Sequence, residues 1–193
     1  MAGLELIHYS ETPLHYDPNH VYIQTMPWLH HKPHGLWVSV KGDDDWWTWC
    51  VDNEFCENSL THACRIHLRT CANIAYITTD AELAAFQAAY ATETDYERQM
   101  AGIFDDEAHV RRTWPIDWRA VIADYDGLII TPYLYDSRLF GPNWYYGWDC
   151  ASGCIWHLAA IERVEETVDE RTGCPDCAAV HAEDGGALPA AGL

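Results

Sequence analysis

The sequence predicts one α+β domain built on a mixed or antiparallel twisted sheet. The first observation is order: apolar and β-rich runs follow the pattern strand, strand, helix, strands, helix, helix, strand, strands, which is not a regular alternation of strand and helix. The second is composition: 49 % of residues are hydrophobic and 13 % aromatic, enough to build a sizeable core from 193 residues. The third is a change of character at the C-terminal end, where an Ala/Gly-rich polar stretch replaces these runs. Residues 1–169 are therefore expected to form the domain and residues 170–193 a mobile tail.

Taken in order, residues 4–10 (LELIHYS) read as a strand that ends on three hydrogen-bonding side chains. Residues 11–34 read as a polar surface loop rich in Pro and His. GLWVSV (35–40) alternates and is β-rich, which predicts a second strand. Three aspartates in GDDD (42–45) suit the positive end of a helix, so 45–58 is expected to be helical with one aromatic face. CRIHLR (64–69) and NIAYIT (73–78) read as strands. Thr79 and Glu82 form a capping box for a helix over 79–93, with Leu83, Phe86 and Tyr90 on one face. Residues 94–112 carry no decisive pattern. Thr113 and Pro115 predict a helix over 114–125, broken by Asp126-Gly127, and LIITPY (128–133) predicts a strand. A loop is expected at 136–143, then a strand pair or bulged strand within 144–156; the period of 157–169 fits strand and helix equally.

The formal net charge is −19, and Lys32 and Lys41 are the only lysines. A field of that sign repels nucleic acid and anionic membranes, while nine arginines leave room for a local basic pocket. An acidic, lysine-poor, alanine-rich chain suits a high-GC or salt-adapted host, or a virus of one. No apolar run approaches the ~18–20 residues needed to cross a bilayer, and the first residues lack the basic and apolar regions of a secretory signal. The expected location is the cytoplasm, of a bacterium or a phage-infected host, with no membrane partner. The eight cysteines are then expected to be reduced thiols. Cys174 and Cys177 form a CxxC near His181, and Cys150 with Cys154 are the other pair a zinc site would need. Their placement in the tail argues against zinc, and no metal site is assigned.

Phosphate-cradling GxGxxG and GxxxxGK[ST] loops, the GxSxG elbow and HExxH are all absent. The constellation that remains is His8-Tyr9-Ser10, the strand residues Gly35, Leu36, Trp37, Val38 and Ser39, and the aromatic helix carrying Trp46, Trp47 and Trp49. A histidine at a strand end can bond a ribose hydroxyl. Backbone at a glycine can lie against a planar amide, and aromatic rings stack on a flat, preferably cationic, ring. The nicotinamide riboside half of NAD has all three features. A carboxylate is then needed to stabilise the oxocarbenium-like species as nicotinamide leaves.

LxHYS followed by GLWVS and an aromatic helix resembles the start of the ADP-ribosyltransferase fold, in its diphtheria-toxin and poly-ADP-ribose-polymerase-like branch. KPHGLW (32–37), YDG (125–127) and WDCASGCIW (148–156) are also similar to segments of small phage- and actinobacteria-type proteins. The resemblance implies an ADP-ribosyltransferase-like fold with NAD as substrate. His8, Tyr9 and Asp149 would be its catalytic group, and His8, Ser10, Gly35, Leu36, Trp37 and Ser39 would hold NAD. Trp46, Trp47 or Trp49 would stand where the family has a stacking Tyr. The family's late-strand Glu has no evident match; Asp149 offers the acid, and Asp126 lies in the other late segment. The acceptor would be a protein side chain, a nucleic-acid base or a small molecule. Two other readings fit the same residues. One is a non-catalytic acidic interaction protein, an inhibitor or nucleic-acid mimic that keeps segments 46–49 and 144–148 partly exposed. The other is a hydrolase or nuclease-like toxin using His8 with Asp126 or Asp149 as acid and base.

Overall fold

A computed structural model describes residues 3–24, 32–55, 60–101 and 112–167. The expected tail, with Cys174, Cys177 and His181, lies outside the described residues. Among the described residues, seven strands form one sheet: β1 (Leu6–Ser10), β2 (Leu36–Val40), β3 (His62–Leu68), β4 (Ile74–Ile77), β5 (Gly127–Ile130), β6 (Ser152–Ile155) and β7 (Ile161–Thr167). Their order across the sheet is β4-β5-β6-β2-β1-β3-β7. Only β4 and β5 run parallel; every other neighbouring pair is antiparallel, so the sheet is mixed.

The helices that lie wholly among the described residues are α1 (Trp46–Asp52), α2 (Asp80–Tyr90), α3 (Asp95–Ala101), α4 (Trp118–Asp124) and α5 (Tyr135–Phe140). Helix α1 starts where the aspartate run predicts. Asp45 is its cap, with no exposed surface, and accepts from the Thr48 N–H at 2.9 Å. Helix α2 is capped by Thr79, whose hydroxyl accepts from the Glu82 N–H at 3.2 Å. The Glu82 carboxylate reaches back one residue further than the usual box, accepting from both N–H and hydroxyl of Thr78 at 2.7 Å.

Two cores cover the two sides of the sheet. Leu83 and Phe86 of α2, Trp118 and Val121 of α4, and Trp144, Tyr145 and Trp148 pack on Ile77, Leu128, Ile130 and Cys154. Leu6, Leu36, Val38, Ile66, Ile74, Ile129, Ile155 and Ile161 form the second core. Leu128 and Ile130 thus point one way and Ile129 the other, which is why this strand reads as an unbroken apolar run. At the opposite edge, β7 buries Ile161, half-buries Val164 and turns Glu162, Arg163, Glu165 and Glu166 to its surroundings.

The short link between β3 and β4 shapes the sheet. These strands sit five places apart, about 24 Å in a flat sheet at about 4.8 Å per strand. Residues 69–73 must join them, and the Ala72 N–H folds back onto the Arg69 carbonyl at 3.0 Å. A link that contains a turn falls short of that distance. The sheet therefore curls, which brings Ile66 of β3 and Ile74 of β4 into the same core.

Three expectations need correction. The helix expected from 114 begins at Trp118, because Asp117 caps it by accepting from the Arg119 and Ala120 N–H groups. Its would-be first turn is extended: Ile116 bridges Ala91, and the Thr92 N–H bonds the Pro115 carbonyl. Segment 136–143, expected as a loop, is mostly helix α5, which has no side-chain cap and therefore no cap signal to read. Its entry is held instead by the buried Tyr145 hydroxyl, 3.1 Å from the Leu134 N–H. Segment 144–156 is not a strand pair: Asn143–Gly147 form a 3-10 turn, and only Ser152–Ile155 form a strand. The undecided stretch after it is a short 3-10 turn (Leu158–Ala160) and then strand β7.

Candidate functional site

A cavity of about 360 Å³ opens where β1, β2, the start of α1 and the segment entering β6 meet. Strand alternation on β2 builds its floor. Leu36, Val38 and Val40 go to the second core, while Trp37 and Ser39 line the cavity, with Val38 contributing to the wall between them. Ser39 stands opposite Ile7 on β1 and opposite Ser152 on β6, and all three contribute lining.

His8 projects from β1 with its Nδ1 2.8 Å from the Trp37 carbonyl oxygen. A carbonyl only accepts, so Nδ1 carries the proton. Burial lowers the His8 pKa below the ordinary 6.5, only partly offset by that bond, so the ring is neutral near pH 7. Nε2 is then an acceptor in a cavity wall, suited to a ligand hydroxyl.

Trp46 lines the cavity from the first turn of α1, where its N–H bonds the Ser39 Oγ at 2.8 Å. That bond uses the serine oxygen as acceptor and leaves its proton to donate. Trp49 stacks on Trp46 at 5.0 Å between ring centroids, and Phe55 packs edge-on against both. Trp37 meets Trp148 edge-to-face at 4.9 Å, and the Lys32 ammonium lies 5.1 Å from its ring centroid.

Asp149 reaches the cavity three residues before β6, paired with the Arg138 guanidinium at 3.0 Å. Cys150 lines the same wall, but burial pushes its thiol up to about 12, so it is no nucleophile at neutral pH. Burial likewise raises the thiol of Cys154, which has no exposed surface. Ser152–Ile155 is thus a fully buried core strand.

The cavity brings together His8, Tyr9, Trp37, Ser39, Trp46 and Asp149 from four separate stretches of chain. Other sequence candidates lie outside its lining. Ser10 donates to the Thr12 carbonyl at 2.7 Å at the exposed end of β1. Gly35 backs onto β6, where a Cβ would sit 2.5 Å from the Cys154 Sγ and 2.7 Å from the Ile155 oxygen. Leu36 belongs to the core, Trp49 supports Trp46 from behind, and Trp47 is not a lining residue. Asp126 is also elsewhere: its carboxylate meets the His157 Nδ1 at 3.1 Å and the Asn73 N–H at 2.8 Å. Sequence reasoning missed Lys32, Ser152 and the partner Arg138. The first two fall inside the KPHGLW and WDCASGCIW segments, whereas nothing local marks Arg138.

Among the described residues, no group of three His, Cys, Asp or Glu side chains is arranged to hold a metal ion. No described helix is long and apolar enough to cross a membrane. Comparison with protein-family models, curated proteins and solved structures finds no match.

Proposed function

We propose that this protein is an NAD-dependent ADP-ribosyltransferase-like enzyme whose first cavity takes the nicotinamide riboside half of NAD. The observation that carries the reading is the convergence of His8, Trp37, Ser39, Trp46 and Asp149 on one concave surface. The neutral His8 accepts a hydrogen bond from a ribose hydroxyl through Nε2. Trp46 and Trp37 flank the cationic ring, and the Ser39 hydroxyl donates to the amide or the sugar. Cleavage of the bond between the ribose anomeric carbon and the ring nitrogen sends its electron pair to that nitrogen, releasing neutral nicotinamide. The Asp149 carboxylate opposes the positive charge left on the sugar until an acceptor nucleophile bonds to the anomeric carbon and gives up its proton. Arg138 fixes the position of Asp149 and tempers its charge.

Two further facts support this reading over its rivals. The proton-bearing His8 nitrogen is engaged by a carbonyl and not by a carboxylate, which disfavours a His–Asp acid–base pair. Trp144, Tyr145 and Trp148 have no exposed surface, so most of segment 144–148 is core, whereas segment 46–49 is half-buried as an interaction protein would have it. The test is nicotinamide release from NAD by wild type beside His8→Ala. Release that vanishes in the variant is expected. No release and no NAD binding by the wild type would remove the reading and favour the acidic interaction protein.

A further inference from the structure

A second cavity, of about 400 Å³, lies beside the first. Its polar lining includes Arg112, Arg138 and Asn143, with the Tyr146 ring as an aromatic wall. The two cavities share a partition. Arg138 lines the second and bonds Asp149, which lines the first, at 3.0 Å. Gly147 lines the second, and a Cβ there would stand 3.3 Å from the Lys32 side chain of the first.

Two guanidinium groups in one lining single out this second cavity. In a chain of net charge −19, arginine side chains find carboxylates easily: Arg65 pairs with Glu5, Arg98 with Glu93 and Asp95, and Arg163 with Glu165. Arg112 does not. Its Nε donates to the Gly141 carbonyl at 2.9 Å, and among the described residues no carboxylate pairs with it. The fork of terminal nitrogens is left as donors in a concave site. Arg138 adds a second guanidinium, held over the Tyr146 ring at 5.2 Å and bonded to the Tyr146 carbonyl at 3.3 Å. The Arg112 fork, the remaining N–H groups of Arg138 and an amide suit the oxygens of a phosphate group, which accepts several such bonds at once. What sets Arg112 apart from Arg69 is its place in a concave lining beside a second guanidinium.

We infer that the Arg112–Arg138 cavity binds phosphate, and that the two cavities together take a nucleotide-type ligand, with ring and sugar in the first and a diphosphate in the second. The ring-and-sugar half rests on the reading proposed above; the anion site does not. The volume of the first cavity agrees, being at the small end of ligand pockets and suited to part of a dinucleotide.

The experiment is calorimetric titration of two probes, inorganic pyrophosphate and the phosphate-free nicotinamide riboside, into wild type, Arg112→Gln and His8→Ala. Pyrophosphate is expected to bind saturably to wild type and His8→Ala within a factor of three, and at least tenfold more weakly to Arg112→Gln. Nicotinamide riboside is expected to bind wild type and Arg112→Gln alike and to lose affinity in His8→Ala. Absence of saturable pyrophosphate binding, or binding that ignores Arg112, overturns the anion site. Pyrophosphate binding without nicotinamide riboside binding leaves the anion site standing and removes the two-cavity ligand with the reading of the first. Should Arg112→Gln fail to fold, Arg112→Lys keeps the charge but not the fork. It should weaken pyrophosphate several-fold, and unchanged affinity there would also overturn the site.

Discussion

Replacing Gly153 by alanine tests whether β6 really clamps the site against its neighbours. An added Cβ would sit 2.5 Å from the Leu128 carbonyl oxygen, 2.7 Å from the Ile129 Cγ1 and 3.1 Å from the Ile129 Cα. The strands would have to separate by nearly an ångström to restore an ordinary contact. They cannot do so freely, because β6 is paired with β5 on one side and β2 on the other. Overpacking of this kind costs about 1–3 kcal/mol, and each stretched ladder bond adds about 1 kcal/mol, so a loss of about 3–4 kcal/mol is expected. For a domain of this size about 2–4 °C of Tm accompanies each kcal/mol, which gives a drop of about 6–16 °C. Thermal unfolding followed by circular dichroism, with urea titration for the free energy, reads both. Gly42→Ala is the control, since a Cβ there meets nothing within 4 Å. A Gly153→Ala midpoint within about 2 °C of wild type would refute the reasoning, because β5 would then have room that its contacts deny.

Other expectations follow from the cavity walls. The pKa of His8 is lowered by burial, so the unfolded chain takes up a proton more readily than the folded one as pH falls through 6.5. Its contribution to stability is thus present above pH 6.5 and lost as pH falls toward the folded pKa, and Tm measured against pH should flatten over that window in His8→Gln. A slope unchanged by the substitution would assign it to other groups. Asp149→Asn should cut nicotinamide release by about a hundredfold or more while NAD affinity stays within threefold; equal losses in both would make Asp149 a binding residue. Trp46→Ala should weaken NAD binding about tenfold, the scale of an aromatic wall lost from a ring, whereas Trp47→Ala, outside the lining, should leave it within twofold. Equal effects from the two tryptophans would place the ring elsewhere along α1.

How much of this was legible depends on how local each signal is. The start of α1 and the whole of α2 could be read because Asp45 and Thr79 lie in sequence next to the amides they cap. Strand β2 could be read because its alternation is the alternation of core and cavity. Pro115 misled because the competing cap, Asp117, is two residues on and the intervening backbone pairs with Ala91. Helix α5 was illegible because its entry is fixed by Tyr145, whose position depends on the core around it. The same distinction holds in the site. His8, Trp37, Ser39 and Trp46 sit on elements with readable patterns, whereas Lys32, Arg138 and Arg112 come from segments whose place only the packed sheet decides. Which of the three tryptophans faces the ligand likewise depends on how α1 is rotated, and the Trp46 N–H bond to Ser39 is what sets that.

The pairing of Leu36 with Ile155 joins strands from opposite ends of the described chain. Closing so long a loop costs entropy that no nearby contact returns early. On a ribosome, β1 and β2 would emerge long before β6, leaving Trp37 and Ser39 on an unfinished sheet edge. The pocket would then appear in a single late event, once the segment from Asp149 to Ile155 is free to dock. A nascent chain arrested before that point would hold most of the site's side chains and none of its enclosure. Capture of such chains on immobilised ligand should therefore switch on over a few residues of added length rather than rise gradually.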